Sequence, residues 1–150
     1  MTAYYVDTSA LAKYYIAETG TNWIRSILRP SAGNIVVMCE TTPIEIFSVL
    51  ARRETSGILA SSNAATIRVN FLKHTNQRYL VQLIESSILL QARLLVTNHK
   101  LRTLDAIQLA SAIHASAILG EQLTFLSGDI DLLTAASNEG FVVDNPNAHP

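Results

Sequence analysis

A single cysteine among 150 residues rules out a disulfide framework and leaves no set of thiols at zinc-ligand spacing. Cys39 stands in the run Val36-Val37-Met38-Cys39, where it reads as a small apolar side chain. The four histidines form no cluster with it, so the sequence offers no zinc site, and His74 and His114 read as structural residues. Strong basicity is also missing. A formal net charge of −1 removes binding of polyanions by bulk charge, and any nucleic-acid site has to be local. No apolar run approaches the ~20 residues needed to span a bilayer, and no positive segment precedes a hydrophobic stretch at the N-terminus, so a cytoplasmic location with no membrane partner is expected. Repeats, linkers and low-complexity segments are absent as well, which predicts one domain over residues 1–146 and a short, frayed tail over residues 147–150.

What is present is apolar mass: 49% of residues are hydrophobic and 15% charged, enough to build a core. Short β-prone runs alternate with helical patterns. Ala3 to Val6 reads as a strand that turns at Asp7-Thr8-Ser9 into a helix, and Trp23, Ile24, Ile27 and Leu28 stripe a second helix ending at Arg29-Pro30. A strand from Asn34 to Cys39 is followed by Thr42-Pro43-Ile44-Glu45, with an N-cap hydroxyl, proline at the first helical position and glutamate at the third. Further on, the spacing predicts helices over Ser61 to Gln77, Glu85 to Leu95, Leu104 to Leu119 and around Ala135-Ala136, with strands at Tyr79 to Leu83, Thr124 to Leu126 and Phe141 to Val143. This alternation predicts an α/β fold with a mainly parallel sheet covered on both faces. In such sheets ligands bind beyond the carboxyl ends of the strands.

Two acids fall at those ends. Asp7 closes the first strand and Asp129 follows a later one, while Glu45 and Asp105 lie in the first turns of helices that can face the same crevice. Four gathered carboxylates would raise one another's pKa unless cations neutralised them, and all-oxygen ligation points to Mg²⁺ or Mn²⁺. Such ions polarise phosphoryl oxygens and activate water, which is phosphodiester hydrolysis chemistry. Thr8, Ser9 and Ser127 flank the acids as hydrogen-bonding supports. Each acid also has a structural reading: Glu45 in a capping box, Asp105 at a helix N-terminus, Asp129 as a cap after Gly128. Asp7, closing a buried strand, has no evident structural need. The basic run His99-Lys100-Leu101-Arg102 places Lys100 and Arg102 as candidate phosphate contacts, or as a solvated loop. Arg25, Arg29, Arg52 and Arg53 add positive edge, with Arg52-Arg53-Glu54 reading as an exposed helix end.

The blocks Tyr5-Val6-Asp7-Thr8-Ser9-Ala10-Leu11, Leu104-Asp105-Ala106-Ile107-Gln108-Leu109-Ala110 and Phe125-Leu126-Ser127-Gly128-Asp129, the last followed by Leu132-Leu133 and Ala135-Ala136, resemble the signature of PIN-domain ribonucleases. The chain is most similar to the VapC-type toxins of prokaryotic toxin–antitoxin pairs, over essentially its whole length. The resemblance implies a three-layer α/β/α sandwich and Mg²⁺- or Mn²⁺-dependent cleavage of RNA. It implies metal-holding acids at Asp7, Glu45, Asp105 and Asp129, and as partners a cognate antitoxin and a second copy of the chain. Ser127 stands where the family often has threonine, and Asp131 is a second candidate beside Asp129. Two other readings remain open: a phosphatase using Asp7 as nucleophile, which lacks a second aspartate two residues on, and a non-catalytic module that binds RNA or protein.

Overall fold

Along the first strand, β1 (Ala3–Val6), Ala3 and Tyr5 point into one apolar core and Tyr4 and Val6 into another, so a strand buried on both faces reads as a continuous apolar run. The same division holds in β2 (Ile35–Cys39), where Val37 and Cys39 face the first core and Val36 and Met38 the second. These strands join β3 (Leu80–Gln82), β4 (Thr124–Leu126) and β5 (Val142–Asp144) in one sheet of order β3-β2-β1-β4-β5, parallel throughout. The computed structural model describes residues 1–150.

Parallel pairing forces a crossover at every step, and helices supply them. α1 (Thr8–Tyr15), α2 (Thr21–Leu28), α3 (Thr42–Thr55) and α4 (Ser61–Gln77) cover one face through Leu11, Ile24, Leu28, Ile46, Leu50 and Phe71. The opposite face is covered by α5 (Ser86–His99), α6 (Thr103–Leu119) and α7 (Ile130–Asn138) through Ile88, Leu95, Leu109 and Leu132. Small buried residues Ala106, Ala110, Ala112 and Ala115 let α6 pack closely. The expected α/β/α sandwich is therefore what the chain forms. Because β2 and β4 flank β1 on opposite sides, the strand order reverses there and opens a crevice at the carboxyl ends of β1 and β4.

Three local expectations need correction. α3 takes Thr41 as its N-cap instead of Thr42, which puts Glu45 one position beyond capping-box register. Phe141 closes the turn after α7 by bonding its N–H to the Ala136 carbonyl, so β5 begins one residue late. The tail is not frayed. Asn145 caps a single 3-10 turn at Pro146–Ala148, and His149 Nε2 hydrogen-bonds Asp144 Oδ1 at 2.9 Å while its ring stacks on Trp23 at 4.0 Å. Pro146 is buried against Gly20, whose φ of +89° and lack of a Cβ permit the contact. No helix is long and apolar enough to cross a membrane.

Candidate active site

Asp7 leaves β1 where the chain turns into α1, and it is almost fully buried. Its Oδ1 accepts hydrogen bonds from the Ala10 N–H (3.1 Å) and the Ser9 hydroxyl (2.8 Å), and Oδ2 accepts one from the Ser127 hydroxyl (2.9 Å). Asp7 is thus the N-cap of α1, a structural need that the sequence did not reveal. Burial pushes its carboxyl up to about 6, against the pull of these three donors, and the charge of Asp105 adds to the rise.

The turn after β4 is tied to the same acid. Ser127 is fully buried; its hydroxyl also accepts the Asp129 N–H at 3.0 Å, and Ser9 Oγ accepts the Gly128 N–H at 2.9 Å. Asp129 caps α7 through the Leu132 N–H at 3.1 Å, so it fulfils its capping reading while its side chain lines the cavity. Asp105, in the first turn of α6, is half-buried. Burial raises its pKa first, with Asp129, Glu45 and Asp131 raising it further and Arg102 opposing them.

Asp7, Glu45, Asp105 and Asp129 all line one open cavity of about 650 Å³, together with Thr8, Ser9 and Arg102. The side chains ring the cavity without closing into a cage: no three acidic, His or Cys groups stand at metal-holding distance from one another. Their chemistry fits a hard divalent cation, since every acidic donor is oxygen and the pKa values of Asp7 and Asp105 are raised by burial and by like charge that a cation would offset. A nucleophilic role for Asp7 has less support, because both its oxygens already accept hydrogen bonds and Ser9 stands two residues on.

Not every candidate converges here. Thr8 lines the cavity, but its hydroxyl meets Thr42 and Gln108 and supports no acid directly. Lys100 ends α5 with φ of +58° and lies in a separate concavity with His99 and Asp131, away from the acidic cavity. Arg25 turns away as well, donating from Nε to the Tyr14 carbonyl. His74 stays structural, packed among Tyr14, Tyr15 and Tyr79 with Tyr15 Oη 2.8 Å from its Nδ1.

Arg52 and Arg53, expected as positive edge or as an exposed helix end, belong to the cavity wall, in helical phase with Glu45 and Val49. Other lining residues were given no role from the sequence. Gln108 lies three residues beyond Asp105 on the same face of α6 and was legible in the same way. Lys13, buried and held by Glu18 (3.1 Å) and the Thr19 carbonyl (3.0 Å), looked like any charged residue ending a helix. Asn147 reaches the rim only because the tail docks, for which no local signal exists.

The strand order and the crevice define a PIN-type fold. Residues 4–136 match the family model for the PIN domain, and the chain belongs to that family. Its architecture is the one seen in VapC toxins. Mycobacterium tuberculosis VapC20, described as a sarcin-ricin loop cleaving toxin, aligns over 99% of this chain and 100% of its own with a TM-score of 0.65 at 19% identity. VapBC2 from Rickettsia felis, solved bound to a DNA fragment from its promoter, aligns over 96% of this chain and 98% of its own, with a TM-score of 0.68 at 12% identity. VapBC-5 of M. tuberculosis, a member of the toxin–antitoxin family of that name, gives 97%, 98%, 0.54 and 16% for the same measures. No curated protein matches the sequence.

Proposed function

We propose that this chain is a metal-dependent endoribonuclease that hydrolyses RNA phosphodiester bonds and acts in the cytoplasm as the toxin of a toxin–antitoxin pair. The observation that carries the reading is the arrival of four carboxylates, from four separate elements, at one cavity beyond the carboxyl ends of β1 and β4. Membership of the PIN family supports nuclease chemistry, and the toxin activity described for VapC20 supports RNA as substrate.

Asp7, Asp105 and Asp129, with Glu45, would hold Mg²⁺ or Mn²⁺. A bound ion of this kind supplies positive charge to the phosphoryl oxygens and makes water a stronger acid. The chain's own work is to present the acids. Ser9, Ser127 and the Ala10 N–H fix both oxygens of Asp7, and Ser127 ties the Asp129 backbone to the same point. Arg102, Arg52 and Arg53 put cationic side chains around the acidic floor, where they grip phosphates flanking the scissile bond. An antitoxin that blocks the site and a second copy of the chain are the proposed protein partners. VapBC-5, which shares the fold, is described as a member of the VapBC family of toxin–antitoxin systems.

The test is cleavage of a structured RNA panel by purified protein with Mg²⁺, Mn²⁺ or chelator, comparing wild type with Asp7→Ala and Asp105→Ala after circular dichroism shows both variants folded. Cleavage that requires metal and disappears in both variants is expected. RNA binding without metal-dependent cleavage would favour the non-catalytic module instead.

A further inference from the structure

Gln108 is only 2% exposed beneath the floor of the acidic cavity, and it joins residues from three other segments of the chain. Its Oε1 accepts the Tyr5 hydroxyl at 2.6 Å, a short bond held in the core. Its Nε2 faces Glu45 Oε1 and Thr42 Oγ1, each at 3.2 Å, and Thr8 Oγ1 at 3.3 Å. A carboxylate only accepts, so the amide nitrogen has to be the end turned toward Glu45, and the oxygen the end turned toward Tyr5. Tyr5 cannot swing away, because its ring is fully buried and stacked on Phe125 at 5.2 Å. The amide is therefore clamped from below and delivers a fixed donor to the carboxylate above.

Glu45 receives a second donor at the same oxygen, the Thr41 hydroxyl at 3.0 Å. Both donors fall on Oε1, and Glu45 stands past capping-box register on the cavity wall, so its other oxygen is not engaged by the N-terminus of its own helix. Glu45 sits on the first turn of α3 and Asp105 on the first turn of α6, so the Gln108 bridge also sets how these two helix starts face each other across the site. We infer that Gln108 is a positioning residue: it orients Glu45 for the reaction without touching substrate. The inference rests on the proposed nuclease reading, in which Glu45 belongs to the reacting site.

Two substitutions separate the functions of the amide. Gln108→Leu removes donor and acceptor, whereas Gln108→Glu keeps the acceptor for Tyr5 and replaces the donor with a group that repels Glu45. Each is made in the full chain, alone and with Glu45→Gln, and kcat and KM for RNA cleavage with Mn²⁺ are measured beside Mn²⁺ affinity by titration calorimetry. With Glu45 present, both should lower kcat about 10- to 50-fold and weaken Mn²⁺ binding, with KM for RNA nearly unchanged because Gln108 is 2% exposed and its amide is already engaged by Tyr5 and Glu45. In the Glu45→Gln background the further loss should be under about 3-fold, since the carboxylate that Gln108 orients is already gone. Equal fold losses in both backgrounds, or wild-type kcat in folded Gln108→Leu or Gln108→Glu, would overturn the inference. If wild type shows no metal-dependent cleavage, the nuclease reading fails by itself, and crystal structures of wild type and Gln108→Glu then decide the positioning claim. A Glu45 carboxylate displaced from the cavity upholds it, and an unmoved one overturns it.

Discussion

The Ser127 hydroxyl donates a 2.9 Å hydrogen bond to Asp7 Oδ2, joining the turns after two adjacent strands, between residues 120 positions apart in the chain. Ser127 Oγ also accepts the Asp129 N–H, so one buried hydroxyl holds two of the four acids in register. Replacing it with alanine removes one of three donors to Asp7, which leaves the carboxylate harder to ionise. Ser127→Ala should lower kcat roughly 10-fold and move the acidic limb of the pH–rate profile upward. A profile measured from pH 5 to pH 9 with either metal reads both effects, and a limb that does not move would dissociate Ser127 from Asp7.

Asp7 also makes a prediction about stability. Its carboxyl titrates at about 6 in the folded protein against an ordinary value of 3.8, so the folded state holds the proton more tightly than the unfolded chain. The favourable contribution is complete below the unfolded value and is lost as pH rises from about 4 to about 6, an upper limit of roughly 3 kcal/mol. Asp105, raised for related reasons, acts in the same direction. In chelator, the urea midpoint of wild type should fall across that window. Asp7→Asn should flatten most of the slope and be more stable than wild type at pH 7, though inactive. Parallel curves for the two proteins would contradict the assignment.

Lys100 and Arg102 are two residues apart and identical in sign, yet only Arg102 lines the acidic cavity. Arg102→Gln should weaken RNA binding and reduce its salt dependence by about one phosphate contact, whereas Lys100→Gln should leave both unchanged. Fluorescence anisotropy with a non-cleaved RNA over a salt series distinguishes the two.

Gly20 is held at φ of +89°, and a Cβ there would stand 2.3 Å from the Pro146 carbonyl oxygen. Gly20→Ala combines backbone strain with that clash and should cost about 2 kcal/mol or more, mainly by releasing the residues from Pro146 onward. A lower Tm together with faster carboxypeptidase trimming is expected. Unchanged trimming would show that the tail is held by Trp23 and Asp144 alone.

Local patterns gave a reliable account of the scaffold. The apolar runs at Ala3–Val6 and Ile35–Cys39 and the helical stripe ending at Gly120 are consequences of burial on two faces and of side-chain period, which neighbouring residues determine. The acids were legible for a related reason: once strands alternate with helices in a parallel sheet, Asp7 and Asp129 after strands and Glu45 and Asp105 at helix starts have few other places to go. Arg52, Arg53 and Gln108 carried the same helical phase as the acids. Phase alone does not say which of two helix faces meets the cavity.

The sequence by itself determined the α/β alternation, the parallel sheet and which acids fall beyond the strand ends and at the helix starts, because these follow from periodicity, turn chemistry and the rule that parallel strands need crossovers. Tertiary structure alone decided how the acids are held and what surrounds them. Ser127 reaches Asp7, and Gln108 links Tyr5 to Glu45, only after β1, β4, α3 and α6 have packed together. Lys100 itself is the left-handed residue that ends α5 and lies in a different concavity from Arg102, and Asn147 arrives at the cavity because Pro146 seats on Gly20. These are contacts between distant segments, fixed by packing geometry and burial, and no stretch of neighbouring residues encodes them.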